Sequence, residues 1–109
     1  MKQISSFYLF NNGGFACNTG CTYIDDDGNI CNGSSGGHIS LGTGEAYNPG
    51  DHGVAAGTTV RLVIGITAGN DRTGGQYFEY QPTAPGQAHY EITGTTLNSD
   101  VHFQGVQMP

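Results

Sequence analysis

The chain has no tryptophan, three fixed cations and three cysteines, and each shortage closes off a class of protein. Lys2, Arg61 and Arg72 face nine acidic residues, for a formal net charge of −6. Binding a phosphate backbone displaces counterions with clustered lysine and arginine, so nucleic acid is a poor partner. Anionic membrane surfaces are disfavoured for the same reason. An odd count of cysteines allows at most one intramolecular bridge, which rules out a disulfide scaffold. No run approaches the roughly 18 apolar residues of a membrane helix, so no transmembrane segment is expected. The opening "MKQISSFYLFNN" lacks the pattern of a signal peptide; the expectation is cytoplasmic synthesis, with release from the cell left open. No segment sustains a helical period over ten residues.

Glycine, by contrast, is abundant, at 19 of 109 residues. Charged residues make up 11% against a usual ~25%. The hydrophobic share of 36% reaches the ordinary globular range once glycine is counted, and the low-hydrophobicity, high-charge signature of disorder is absent. The length suits one core, hence a single β-sandwich domain over residues 1–109.

Apolar residues recur at every second position, the period of strands. "QISSFYLFN" carries Ile4, Tyr8 and Phe10 on one face and Phe7 and Leu9 on the other, a mixed pattern suited to a strand covered on both sides. "FACNTGCTYI" sets Phe15, Cys17, Thr19, Cys21 and Tyr23 inward, opposite Ala16, Asn18, Gly20 and Thr22. "HISLG" is a short apolar piece, and "GEAYNPGDHG" reads as a wide turn. "TTVRLVIGIT" is the clearest strand, with Val60, Leu62, Ile64 and Ile66 inward, and is expected at or near the centre of a sheet. "QYFEYQ", "AHYEITG" and "DVHFQGVQ" complete the set, the last two joined by "TTLNS". About eight short strands at a spacing near ten residues describe an all-β, antiparallel sandwich. Its expected core contains Phe15, Tyr23, Val60, Leu62, Ile64, Ile66, Phe78, Tyr90, Ile92 and Phe103.

The densest cluster of polar chemistry is "CTYIDDDGNICNG". Asp25, Asp27 and Asn29 could offer calcium three hard oxygen ligands. Aligning Gly28 with the required glycine of a helix-loop-helix calcium site puts Tyr23 and Ser34 at ligand positions, so that motif fails. A sandwich-type calcium site at a loop tip stays open beside the simpler reading, an Asp-Gly hairpin turn. A three-residue loop from Asp26 to Gly28 sets Tyr23 opposite Cys31 and leaves Cys21 a diagonal step away, about 7–8 Å, too far for a disulfide. A bulge shifting the register by two would bring Cys21 and Cys31 together. The alternatives are a Cys21–Cys31 bridge and free thiols at Cys17, Cys21 and Cys31 acting as small hydrophobes.

"GSSGG" matches the form of a nucleophile elbow, but the helices that give that motif meaning are absent, so Ser35 near His38 reads as a loop. His38, His52, His89 and His102 show no metal spacing, although His89 and His102 could approach across the final hairpin. Glu79 and Glu91 face outward on strands read as neighbours, without the apolar pocket a general acid needs. No catalytic residue and no cofactor are expected, and the chain reads as a non-enzyme. Its outward faces carry threonine, asparagine, glutamine, serine and tyrosine, which suit sugars and also suit packing against further copies. Few lysines guard the strand edges against edge-to-edge pairing.

The segments "NNGGFACNTGCTYIDDDGN", "GTTVRLVIGITAGNDRTGGQYFEYQP" and "AHYEITGTTLNSDVHF" together span most of the chain. They resemble the small family of single-domain sandwiches named for up-regulation in long-lived nematodes, with bacterial and fungal relatives. The resemblance rests on the NNGGF opening, the DDDGN turn, the A-G-N-D turn and the closing Y-x-I-x-GTTL. It implies an antiparallel β-sandwich similar in architecture to the aegerolysins, which bind particular membrane lipids and recruit a partner to form pores. Aegerolysins are rich in tryptophan, which this chain lacks, and the resemblance brings no catalytic residue and no established activity. The leading expectation is a recognition module, oligomeric, that binds a glycan or lipid headgroup. The alternatives are a protein that self-assembles into fibres or lattices through its strand edges, and an aegerolysin-like toxin component.

Overall fold

A computed structural model describes residues 1–108. Eleven strands run in the order β1 (Gln3–Ile4), β2 (Ser6–Gly13), β3 (Cys17–Ile24), β4 (Ile30–Asn32), β5 (His38–Ile39), β6 (Gly44–Tyr47), β7 (Thr59–Ile66), β8 (Arg72–Thr73), β9 (Phe78–Tyr80), β10 (Gln87–Gly94) and β11 (Ser99–Gln107). A single 3-10 turn, Pro49–His52, precedes β7. The larger sheet has the order β1-β9-β7-β3-β4, with β5 also on β3 and β8 also on β7; the smaller has the order β11-β10-β2-β6. The all-β sandwich expected from the alternating pattern is the fold observed, with two corrections. There are eleven strands rather than eight, because short edge pieces pair where the sequence signals only turns. The sheets are mixed rather than purely antiparallel, since β1 runs parallel to β9 and β2 parallel to β10.

Alternation dictates the core. Along β7 every second residue is buried, with Val60, Leu62 and Ile64 fully so, and the strand is central in its sheet. From the other sheet come Phe7 and Leu9 of β2 and Ala88, Tyr90 and Ile92 of β10. Fully burying a side chain of the Leu, Ile or Phe class contributes about 1.5–3 kcal/mol, so these two faces dominate stability. Phe7 joins them across the interior, edge-to-face with Phe78 at 6.1 Å and tilted against Tyr90 at 6.2 Å.

"QISSFYLFN" is not one strand covered on both faces. The chain crosses from the larger to the smaller sheet at Ser5, whose backbone N–H donates to the Gly86 carbonyl at 2.9 Å. That corner resets the phase, so Ile4, Phe7 and Leu9 are all fully buried despite their mixed parity. "GEAYNPGDHG" is not wholly turn either: Gly44–Tyr47 forms an edge strand that buries Tyr47. Two expected core residues are less enclosed. Tyr23, near the end of β3, is partly buried, and Phe103 is 40% exposed because β11 is an edge strand covered from one side only. Glu79 and Glu91 lie on different sheets and are not neighbours.

One buried polar residue organises the end of the sandwich. Asn11 is fully buried; its Nδ2 donates to the carbonyls of Phe15 (2.7 Å) and Ile39 (3.1 Å), while its Oδ1 accepts from the Gly13 N–H at 3.0 Å. All these groups are satisfied, which is what makes an amide tolerable there.

Candidate functional site

The hairpin of β3 and β4 keeps the register Tyr23↔Cys31, with Gly28 at φ 82 in its turn. Asp25 Oδ1 accepts from the N–H groups of Asn29 (2.8 Å) and Asp27 (3.0 Å), and the Cys31 thiol donates to its Oδ2 at 3.5 Å. The Asn29 amide, with further help from the Cys31 thiol and the Asp27 amide, holds this carboxyl below its ordinary range. The carboxylate that could have begun a calcium site thus caps its own turn. Among the described residues no group of three or more His, Cys, Asp or Glu side chains is placed to hold a metal ion.

Cys21 lies opposite Leu62, and its sulfur lies 3.7 Å from the Tyr47 hydroxyl oxygen. The shifted register that would set Cys21 against Cys31 is not the one the strands adopt, and all three thiols are free. Burial pushes Cys17 up to about 11 and raises Cys21 as well; Cys31 is raised by local desolvation and by Asp25.

"GSSGG" does bring a serine to a histidine, but not the pair the sequence suggests. Ser34 Oγ meets His52 Nδ1 at 2.7 Å, and the His52 ring stacks on Tyr47 at 4.3 Å with 12° between planes. Tyr47 in turn donates to the Ser34 carbonyl at 2.7 Å. These contacts pin the glycine-serine loop against the sandwich. His89 and His102 do not meet: His102 lies opposite Glu91 and bonds Thr93 at 2.9 Å, while His89 bonds Gln87.

A polar concavity lies on the outer face of the larger sheet. There the outward positions of β3 are Asn18 and Gly20, and those of β7 are Val63 and Gly65, paired as Asn18↔Gly65 and Gly20↔Val63. Two glycines on adjacent strands remove the side chains that would cover this face. A Cβ on Gly20 would meet nothing within 4 Å. A Cβ on Gly65 would strike the Asn18 side-chain oxygen and lie 3.7 Å from an Asp71 carboxylate oxygen, so the amide folds over this glycine toward the carboxylate, and the open floor is at Gly20. Asn18 and Gly65 line two adjoining depressions of about 260 and 380 Å³, together called the trough. His38, held beside Asn18 by β5, borders one end, and Asn32 and Ser35 border the other.

The trough has one acid, an imidazole, two amides and two hydroxyls, and no lysine or arginine lines it. The two arginines are engaged elsewhere: Arg61 donates to the Gly74 carbonyl and lies 5.2 Å over the Tyr77 ring, and Arg72 donates to Ser99 Oγ at 2.8 Å. The arrangement supplies hydrogen bonds of both senses at fixed points around a flat floor. The outward parity of Asn18 and Gly20 was legible in "FACNTGCTYI", and a glycine inside the most apolar strand marks a place where something approaches the backbone. The convergence of Asn18 with Asp71 depends on register and on the turn after β7, which no local pattern reveals.

No protein-family model matches the chain, and no curated protein matches it. Among solved structures the chain is similar to listeriolysin O (15% identity over 92% of this chain and 22% of that one, TM-score 0.48). It is also similar to the cytotoxin suilysin from Streptococcus suis (16% identity, 96% and 24%, TM-score 0.48). A third is a disulfide-locked mutant of intermedilysin with human CD59 (17% identity, 94% and 24%, TM-score 0.48). The chain spans about a quarter or less of the length of each. Identities this low concern the path of the chain alone, and no property of those proteins is carried over. Among the described residues no helix is long and apolar enough to cross a membrane.

Proposed function

We propose that the protein is a non-enzymatic recognition module whose trough on the larger sheet binds a glycan. The observation that carries this reading is the convergence of Asn18 and Asp71 over Gly65. An amide and a carboxylate side by side offer an NH2 donor group and several acceptors, the complement of adjacent sugar hydroxyls, and the open floor at Gly20 beside them lets a ring approach the backbone. Of the two ligand classes expected from the sequence, a phosphate-bearing lipid headgroup is the poorer fit, since the trough presents an acid and no fixed cation. The motif resemblance is in keeping with a module that has a fold and no established activity. Glycan and lipid arrays probed with the wild type and with Asn18→Ala and Asp71→Ala test the reading. Binding to glycans that both substitutions abolish is expected; no binding on either array would overturn it.

A second reading, self-assembly, is favoured by β11. This nine-residue edge strand carries Asp100 as its only charged residue and no lysine. Sedimentation across a hundredfold concentration range decides it: a clean monomer throughout removes this reading. The toxin-component alternative keeps a separate test, permeabilisation of liposomes by the protein with a partner, and failure there removes it.

A further inference from the structure

The opposite face of the sandwich carries a second arrangement that the trough does not use. On the smaller sheet, β2 and β10 run parallel in the register Ser6↔Gln87 and Tyr8↔His89, and all four residues are half-buried at the outer surface. The Tyr8 and His89 rings stack at 4.9 Å with 29° between planes. Gly44 on the neighbouring edge strand makes room for this: a Cβ there would overlap the Tyr8 hydroxyl, so the tyrosine lies across β6 instead of standing into solvent. Beside the stacked pair is a groove of about 350 Å³, bordered by Ser5, Ser6, Pro85, Gln87, His89 and Gln107. No Asp, Glu, Lys or Arg lines it.

The polar groups there form a directed chain. Gln87 Nε2 donates to Ser6 Oγ at 2.8 Å, which turns Gln87 Oε1 toward His89 Nε2 at 2.9 Å. An amide oxygen can only accept, so His89 carries its proton on Nε2 and the chain runs from His89 through Gln87 to Ser6. Ser6 Oγ, already accepting, has its own O–H to give, and the groove is where that donor is available. A fixed donor at the end of an oriented chain, next to the His89 ring and the apolar Pro85 and Met108 and without formal charge, is the complement of a neutral ring that is apolar on one face and hydroxylated at its edge.

We infer that this groove is a second ligand site, selective for a neutral pyranose, on the sheet opposite the trough. It does not depend on the trough's being a site. If both bind, one chain presents sites on opposite faces and links two glycans, so that avidity on a glycan-coated surface exceeds that of either site.

The experiment is an amide-resolved NMR titration of the full chain with the methyl glycosides of glucose, galactose and mannose, and with glucuronate as the charged control. The expected result is a saturable shift of the Ser6, Tyr8, Gln87 and His89 amides with at least one neutral glycoside. It should weaken at least tenfold in Gln87→Leu and in Ser6→Ala, persist in Gly20→Val, and be absent with glucuronate. Native-like spectral dispersion identifies a folded variant, and Ser6→Ala stands in if Gln87→Leu fails to fold. No shift at these amides with any neutral glycoside up to 100-fold over protein at millimolar concentration overturns the inference. So does an equal response to glucuronate, or a response unchanged in both folded variants.

Discussion

Replacing Gly20 by valine separates the trough's contribution to binding from its contribution to folding. Gly20 sits mid-strand on β3, opposite Val63, and a Cβ there meets nothing within 4 Å. A side chain can therefore enter without displacing protein atoms. Glycine within a strand gives up more backbone entropy than other residues and packs nothing, and a β-branched replacement recovers about 1 kcal/mol. For a domain of this size that raises Tm by about 4–8 °C. Binding should move the other way. A hexose of about 12 non-hydrogen atoms, at about 0.3 kcal/mol per atom, binds with about 4 kcal/mol, a Kd near 1 mM. If three valine carbons on the floor remove half of that, affinity falls about 30-fold. Thermal melting and titration with a glycan found on the array give the two numbers. A more stable variant that binds as well as the wild type would refute the assignment of the trough, and a destabilised variant would refute the claim that its floor is open.

Other substitutions test the framework around the site. Asn11→Leu strips partners from the Gly13 N–H and the Phe15 and Ile39 carbonyls in a fully buried position; a loss of about 3–5 kcal/mol is expected by chemical denaturation, and under 1 kcal/mol would contradict the role given to this amide. Cys17, raised by burial from 9.0 to about 11, favours the folded state fully below pH 9 and loses that contribution as pH rises toward 11; stability measured over this interval should fall less in Cys17→Val than in the wild type. Asp25 is lowered from 3.8 in the folded chain, so its contribution is present above that pH and is lost as pH falls below it; the stability gap between the wild type and Asp25→Ala should narrow on acidification below 3.8. A native thiol titration should label Cys31 first, with Cys17 and Cys21 reacting only on unfolding.

Much of the sandwich was readable because burial follows parity. β7 shows every second residue buried, as its sequence alternates, and β10 does the same. The failures share a cause, which is that periodicity knows nothing of where a chain changes sheet. Ile4 and Phe7 are both core residues only because Ser5 turns the corner between them. Tyr47 was hidden among the glycine, proline and aspartate that follow β6. Phe103 has the right parity but sits on an edge.

The candidate sites were half legible. The polar, small-residue outer faces could be read from parity, yet the meaning of Gly20, Gly65 and Gly44 emerges only from what lies across from each: open space, Asn18 and Tyr8. In the glycine-serine loop the serine that meets a histidine is Ser34 rather than Ser35, and the histidine is His52 rather than His38. Tertiary placement, not spacing, chose both.

A crystal structure with the glycan that binds most tightly on the array tests the account most directly. The account predicts a sugar ring over Gly20 with neighbouring hydroxyls bonded to Asn18 and Asp71. A bound glycan that leaves the trough empty would contradict it.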